Sequence, residues 1–220
     1  MRSSRPDKPE ECPLQSRVPM RLFVFAAALT VGVGGLIPAL PAAAQSSVPP
    51  FEVVFPQETG PTEFTSSFGD GRSGGRRHNG NDLIAPRMTE VYAIADGTVI
   101  YVGTNNLSGR NVKLDHGDGW ESYYLHLNND NIGTDDGGVS WELTVAPGIE
   151  EGMDVLAGQL IAWVGDSGNA EGTTPHTHFE LRHEGRPIDP YSMLLEAHGR
   201  ALELEEATRL LTGIPGHEIE

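Results

Sequence analysis

The chain carries two short stretches in which histidine and aspartate are spaced as metal ligands or acid–base groups. In the first, PHTHFELR (residues 175–182), His176 and His178 are two positions apart. If this stretch is a strand, both imidazoles project from one face, whereas Thr177 and Phe179 project from the other. Two imidazoles on one face indicate metal binding, acid–base chemistry or a solvated surface without function.

The second stretch is RRHNGNDLIAP (residues 76–86), in which His78 and Asp82 are four apart. The intervening Asn-Gly-Asn is turn chemistry, so we expect a tight turn leading into a strand over 82–85 rather than a helix. One imidazole and one carboxylate from this turn, with one imidazole from a distant strand, make a set typical of catalytic zinc with an open fourth position. Each motif is common by chance, and the alternative makes His78 a loop residue and Asp82 an Asx-turn former.

The elements that would position these residues are short strands. From Phe64 onward, alternating apolar and polar runs are separated by glycine turns, and Asp-Gly pairs such as those at 96–97, 118–119 and 136–137 predict hairpins or tight turns. This spacing predicts an antiparallel β-sandwich or barrel. We also expect a strand over 52–55, a long acidic loop over 128–151 with a short strand around 141–145, and a helical segment after Pro190 that is interrupted at Gly199.

The N-terminal segment has the pattern of a secretory signal. Arg17 and Arg21 precede an apolar run, residues 22–44, that contains three glycines and two prolines and ends in three alanines. A membrane-spanning helix is the alternative, but the uninterrupted apolar stretch is shorter than the roughly 20 residues that a span needs. Met20 is a second possible start. We predict a signal peptide over 1–44, a proline-rich leader over 45–62, a catalytic domain over 63–195 and a helical tail over 196–220.

Charge and cysteine content limit the partners. The formal net charge of −16 excludes nucleic acid as an expected partner, because a phosphate backbone requires a basic surface. Cys12 is the single cysteine, so no internal disulfide is possible.

Taken together, the motifs resemble the lysostaphin-type, or LytM-like, zinc endopeptidases of peptidoglycan. The matching pieces follow the order of that family over roughly residues 51–195: SSFGDGR (66–72), HNGNDLIAP (78–86), VYAIADGTVIYVG (91–103), VKLDHGDGW (112–120), SYYLHL (122–127), GMDVLAGQLIAWVGDSGNAEGTTPHTHFELR (152–182) and DPYSML (189–194).

The resemblance implies a mostly β fold, an antiparallel sandwich or open barrel of the LytM (duplicated hybrid motif) type with a C-terminal helix. It implies that His78, Asp82 and His178 bind one Zn²⁺ and that His126 and His176 are catalytic histidines outside the metal shell. The expected activity is hydrolysis of amide bonds in peptidoglycan peptides, outside the cytoplasm, in the cell wall or periplasm. Membrane contact is expected only through an uncleaved signal segment. The sequence does not set the oligomeric state, and a monomer is our expectation.

Other residues have open interpretations. Arg72, Arg76 and Arg77 form a basic cluster that either meets a peptide carboxylate or is solvated, and Glu180 is a candidate for orienting a metal ligand. We expect His116 to make a structural hydrogen bond in a turn. The acidic insert over 128–151 is longer than the usual family connection and is a candidate roof for the cleft.

Two alternatives compete with the enzyme. One is a LytM-like protein without activity that regulates a wall hydrolase, although regulators of that type have usually lost metal ligands and this chain retains all five matching positions. The other is a biotinyl- or lipoyl-like carrier domain. Lys113 is the single lysine after residue 44, and its surroundings, VKLDHG, lack the exposed hairpin context that such a carrier needs.

Overall fold

The computed structural model describes residues 48–212, which form a mostly antiparallel β structure with one long helix. Its nine strands are β1 (Asn81–Ile84), β2 (Glu90–Tyr92), β3 (Gly97–Asn105), β4 (Gly109–Asp115), β5 (Trp120–Leu127), β6 (Asp154–Val155), β7 (Leu160–Trp163), β8 (His176–His183) and β9 (Arg186–Ile188), and the helix is α1 (Tyr191–Thr212). Single 3₁₀ turns lie at Ser73–Gly75, Trp141–Leu143 and Gly168–Ala170. The predicted mostly β class with a C-terminal helix is confirmed.

The larger sheet has the strand order β1-β8-β5-β4-β3-β6, and β9 also pairs with β8. All of its pairings are antiparallel, and a second sheet consists of β2 and β7. Strand β8 therefore lies between β1 and β5, so the second histidine motif is flanked by the strand that follows His78 and by the strand that ends near His126.

Alternation along the strands puts one set of side chains into the core. Tyr124 and Phe179 are fully buried and meet edge to face, with ring centroids 5.5 Å apart. Leu83 from β1 and Ile161 from β7 are equally buried in the same apolar cluster. Full burial of such side chains stabilises the fold by about 1.5–3 kcal/mol each, which makes the strands beneath the histidines a rigid support.

The segment before residue 62 packs into the body more closely than a linker would. Val53, Phe55 and Gln57 are buried, and the backbone N–H of Val54 donates to the carbonyl of Ile94 at 2.7 Å. The strand predicted over 52–55 is wrong, because these residues make single backbone contacts with their neighbours rather than a ladder. The predicted signal peptide, residues 1–44, lies outside the described residues.

Helix α1 runs through Gly199, where the sequence predicted an interruption. A glycine inside a helix costs only about 1 kcal/mol relative to alanine, and packing on both sides of it outweighs that amount. Leu194 and Ala197 are buried, and Arg200 donates to the carbonyl of Val53 at 2.8 Å. No helix within residues 48–212 has both the length and the hydropathy that crossing a membrane would require.

The acidic insert, residues 128–151, is folded without the strand predicted around 141–145, where the 3₁₀ turn lies instead. Arg87 holds it to the body through three carboxylates: Asp130 in the insert at 3.1 Å, Asp135 in the insert at 2.9 Å and Asp166 after β7 at 2.6 Å. Arg110 lies 4.8 Å from the ring centroid of Trp141 on the other side of the insert.

Candidate metal centre and its groove

Strand pairing brings Asp82 and His178 together. Asp82 on β1 is directly opposite His178 on β8 in the antiparallel register, and directly opposite residues share one face of the sheet. Their side chains meet with Asp82 Oδ1 3.0 Å from His178 Nδ1.

His78 reaches the same point from the turn before β1. Gly80 is necessary in this turn, because a Cβ atom there would lie 2.0 Å from the carbonyl oxygen of Phe179. This close approach of the turn to β8 brings His78 Nε2 to within 3.0 Å of Asp82 Oδ1 and 2.9 Å of His178 Nδ1. His78 itself is buried.

The three converging atoms have lone pairs that point at one another. His78 Nδ1 lies 2.8 Å from the carbonyl of Ser67, which can only accept, so Nδ1 carries the hydrogen and Nε2 has the free lone pair. His178 Nε2 donates in the same way to Glu180 Oε1 at 3.2 Å, which leaves Nδ1 inward. Three acceptors at 2.9–3.0 Å repel unless a cation or an added proton lies between them. Ligand atoms of a tetrahedral zinc site are roughly 3.3 Å apart, so the set fits a divalent cation.

Both carboxylate oxygens of Asp82 have partners that keep the group ionised. Burial would raise the pKa of the Asp82 carboxyl, but the imidazoles of His178 and His78 against Oδ1 hold that pKa far below its usual range, so the group is ionised at neutral pH. Its second oxygen, Oδ2, accepts from the Arg72 guanidinium at 2.6 Å. Arg72 thus leaves Oδ1 as the oxygen that faces the two histidines.

Glu180 orients His178, as the sequence had suggested. Burial would raise the pKa of the Glu180 carboxyl, but hydrogen bonds from His178 and Arg182 lower it, so the group stays an acceptor. Carboxylates that hold the outer N–H of a ligating imidazole fix its tautomer and increase its basicity.

His126 and His176 flank the three convergent atoms without belonging to them. Their ring centroids are 5.1 Å apart. His126 Nδ1 donates to the carbonyl of Ser167 at 2.8 Å, and His176 Nδ1 donates to that of Thr174 at 2.8 Å, so each retains a lone pair on Nε2. Burial lowers the pKa of His126 to about 4, which keeps this imidazole neutral near pH 7.

The five residues lie along a groove with a volume of about 540 Å³. One wall is the segment that carries Arg72, Arg76 and Arg77, and the other wall is uncharged: Leu107, Ser108, Asn169, Ala170 and Thr173. Among the described residues, those that line the groove do not include any of the acidic insert, which therefore does not roof it here.

The backbone acceptors that orient the imidazoles have no signature in the sequence. Ser67, Ser167 and Thr174 act through carbonyl oxygens. Any residue type supplies such an oxygen, so no signal in the amino-acid types could have marked them. The sequence marks Arg72 as part of a basic cluster, but its pairing with Asp82 depends on a contact in the fold that spacing does not reveal.

Comparison with known sequences identifies the class of protein to which this fold and this site belong. The profile of peptidase family M23 matches residues 76–190, slightly more than half of the chain, and the chain therefore belongs to that family. The resemblance to lysostaphin-type peptidases inferred from the motifs is thereby confirmed.

Individual relatives match the same region. The chain is 34% identical over 120 residues to the DD-carboxypeptidase/endopeptidase Mpg of Neisseria meningitidis serogroup B, covering 54% of this chain and 23% of that protein. It is 32% identical over 112 residues to the peptidoglycan DD-endopeptidase ShyA of Vibrio cholerae, covering 51% and 22%. The chain thus spans less than a quarter of the length of either relative. A crystal structure of a Pseudomonas aeruginosa protein assigned to peptidase M23 superposes with a TM-score of 0.50 at 26% identity, covering 65% of this chain and 50% of that one.

Proposed function

We propose that the protein is a zinc-dependent endopeptidase that hydrolyses amide bonds in the peptides of peptidoglycan. The observation that carries the proposal is the triangle of three inward-facing acceptor atoms of His78, Asp82 and His178, 2.9–3.0 Å apart, with their outer atoms already bonded. The peptidoglycan DD-endopeptidase among the relatives supports the substrate class.

In this proposal His78, Asp82 and His178 bind one Zn²⁺ ion. When bound there, zinc supplies an activated water nucleophile near neutral pH and polarises the carbonyl of the scissile amide. Arg72 and Glu180 keep the donor atoms in place from outside.

The proton chemistry is assigned to His126 and His176. Neutral His126 can accept a proton on Nε2, because its Nδ1–H is held by Ser167. His176 offers Nε2 on the same side, 3.9 Å from Asp82 Oδ1. One imidazole then takes the proton of the attacking water and the other, when protonated, stabilises the charge that develops on the amide oxygen.

We also propose that the protein works outside the cytoplasm, after removal of residues 1–44. The leader over 45–62, the catalytic domain over 63–195 and the tail over 196–220 complete that organisation. The basic, apolar and small-residue pattern of the first 44 positions supports it, as does the extracytoplasmic position of peptidoglycan itself.

The test is incubation of the purified protein with isolated cell walls, with and without a chelator, and identification of the released peptides by mass spectrometry. We expect chelator-sensitive release. His178→Ala is expected to lose bound zinc, and His126→Ala to retain zinc while turnover falls by about two to four orders of magnitude. Zinc-loaded protein that releases nothing from walls would instead favour the regulator without activity.

A further inference from the structure

A small hairpin, residues 69–78, forms the charged wall of the groove. The backbone N–H of Gly69 donates to the carbonyl of His78 at 2.8 Å, and that of Arg72 donates to the carbonyl of Arg76 at 2.9 Å. The hairpin ends at His78 in the candidate metal centre. The backbone of this hairpin therefore places its side chains beside the candidate metal centre.

The three arginines of this hairpin have different partners. Arg72 is committed to Asp82. Arg76 donates to the carbonyl and hydroxyl of Ser73 at 3.2 and 3.3 Å, and Arg77 donates to the carbonyl of Gly69 at 3.0 Å. Those acceptors are neutral, and each guanidinium has five N–H donors. Both side chains retain donors that face solvent.

Nine arginines lie within residues 48–212, and five of them pair with carboxylates: Arg72, Arg87, Arg182, Arg200 and Arg209. Of the remaining four, Arg110 and Arg186 do not line the groove, whereas Arg76 and Arg77 do. Within residues 48–212, neither Arg76 nor Arg77 has a carboxylate within ion-pair distance. The carboxylates that line the groove, Asp82 and Glu180, are already bonded to arginine and histidine.

The free charge of the groove is therefore positive and one-sided, because the opposite wall is uncharged. A planar guanidinium binds a carboxylate through two parallel hydrogen bonds, which are stronger than neutral ones and specific in direction. An anionic group on a bound peptide would therefore bind on the hairpin side of the groove, where Arg76 and Arg77 lie.

We propose that Arg76 and Arg77 bind a carboxylate of the substrate, so that the enzyme selects peptides with a free carboxylate on the side of the scissile amide that faces the hairpin. This inference rests on the proposed peptidase function and adds the class of peptide that it accepts. The carboxylate comes either from the C-terminus of the peptide or from an acidic side chain.

The experiment uses synthetic stem peptides in matched pairs. One pair differs only in a C-terminal carboxylate against a carboxamide, and a second pair differs only in a side-chain carboxylate against a carboxamide. We expect kcat/KM to favour the carboxylate by on the order of 10-fold to 100-fold in one pair, the range for a charge-assisted hydrogen bond. The pair that shows the preference identifies the source of the carboxylate.

The variants Arg76→Gln, Arg77→Gln and their combination are measured on the same pairs. The ratio of carboxylate to carboxamide kcat/KM should fall in each single variant and approach one in the double variant. Arg186→Gln is the matched control, because Arg186 is exposed on β9 and does not line the groove; its ratio should equal that of the wild type. Zinc content and thermal unfolding check that the variants fold.

The outcomes separate the two proposals. Equal cleavage of both members of both pairs overturns carboxylate recognition and leaves the peptidase intact. If no peptide is cleaved, the peptidase proposal fails, and calorimetric binding of the same peptides to the zinc-loaded protein tests recognition directly. Binding that ignores the carboxylate, or that survives in the double variant, overturns the inference.

Discussion

At the scale of single residues, the tautomer and orientation of each imidazole in the site are set by the hydrogen-bond acceptor of its outer ring nitrogen. Glu180 is the one side chain among those acceptors, since Ser67, Ser167 and Thr174 use backbone carbonyls. Substitution of Glu180 therefore tests the orientation of the metal centre without altering a proposed ligand.

We expect Glu180→Ala to lower zinc affinity by about 10-fold to 100-fold, because His178 would lose the acceptor that fixes its tautomer. Glu180→Gln retains an acceptor oxygen and should lose less. Competition with a chromophoric chelator measures the affinity, and Glu206→Ala on the exposed face of α1 is the control. Wild-type affinity in Glu180→Ala would contradict the orienting role.

His116 makes the structural hydrogen bonds expected of it, and they create a pH dependence of stability. Its Nδ1 donates to the carbonyl of Asp96 and its Nε2 accepts from Ser122, each at 2.8 Å. Burial lowers its pKa below the ordinary 6.5, more than Asp96 and Asp115 raise it. The contribution of neutral His116 is thus complete above pH 6.5 and is lost as the pH falls towards the lower pKa of the folded state.

We therefore expect the wild type to lose more free energy of unfolding than His116→Gln between about pH 7.5 and about pH 5.5. Urea unfolding of both proteins at each pH measures it, and the difference between them removes the contribution of the other titrating groups. An identical pH dependence in the two proteins would show that His116 is not the group responsible.

The resemblance to the family was needed to find the five groups of the candidate site, because His-x-His and His-x-x-x-Asp are each common by chance and become distinctive only in family order. His126 lies in neither motif and follows from the resemblance alone. Whether His78, Asp82 and His178 are the ligands stays a prediction, although their atoms converge. The acceptors behind them could not be predicted, since a carbonyl oxygen has no signature in the sequence. The ion pair between Arg72 and Asp82 could not be predicted either, because it depends on how the hairpin over 69–78 folds.

At the scale of elements, apolar–polar alternation and Asp-Gly turns predicted the strands well. The positions of the leader and of the acidic insert were not predicted, because they depend on contacts between distant parts of the chain. The sequence predicts a proline-rich leader over 45–62 that lies outside the catalytic domain, yet Val53 and Phe55 are buried in the apolar core. The acidic insert was expected to contain a strand and to be a candidate roof for the cleft. Its position depends on ion pairs with Arg87, and such pairs between distant segments are not visible in a local pattern.

Arg87→Met should release the insert and destabilise the fold. Asp166 and Asp130 are fully buried and would lose their cation. We expect a loss of about 3 kcal/mol in the free energy of unfolding, the lower end for breaking a buried ion pair, because Arg87 itself is a quarter exposed. Urea unfolding measures the loss, and limited proteolysis within 131–138 reports the release.

Arg209→Met is the matched control, since Arg209 pairs with exposed Glu206 on the same helix; we expect no measurable change in its unfolding midpoint. Arg87→Lys retains the charge without the two-pronged contact to Asp166 and should lie between the wild type and Arg87→Met. If Arg87→Met unfolds like the wild type and resists proteolysis, the insert is held by other contacts.

At the scale of the whole molecule, the net charge of −16 and the arginines of the groove would have opposite effects on the proposed anionic substrate. On the two proposals above, the protein as a whole repels a polymer whose peptides carry free carboxylates, while Arg76 and Arg77 attract one carboxylate at short range. These two effects differ in their response to salt, because the screening length falls from about 30 Å at 0.01 M to about 8 Å at 0.15 M. Long-range repulsion is removed first.

We therefore expect the initial rate on intact walls to rise as ionic strength increases from about 0.01 M to about 0.15 M, since screening lets a strongly acidic protein approach an anionic polymer. Over the same range, kcat/KM for a short peptide with one carboxylate should stay level or fall slightly, because the groove contact is local and favourable. Turbidity loss of walls and peptide cleavage, measured in the same buffers, give the two curves. The carboxamide peptide controls for effects of salt on the chemistry itself. A wall rate that falls with salt as the peptide rate does would mean that the acidic surface does not limit the approach to the wall.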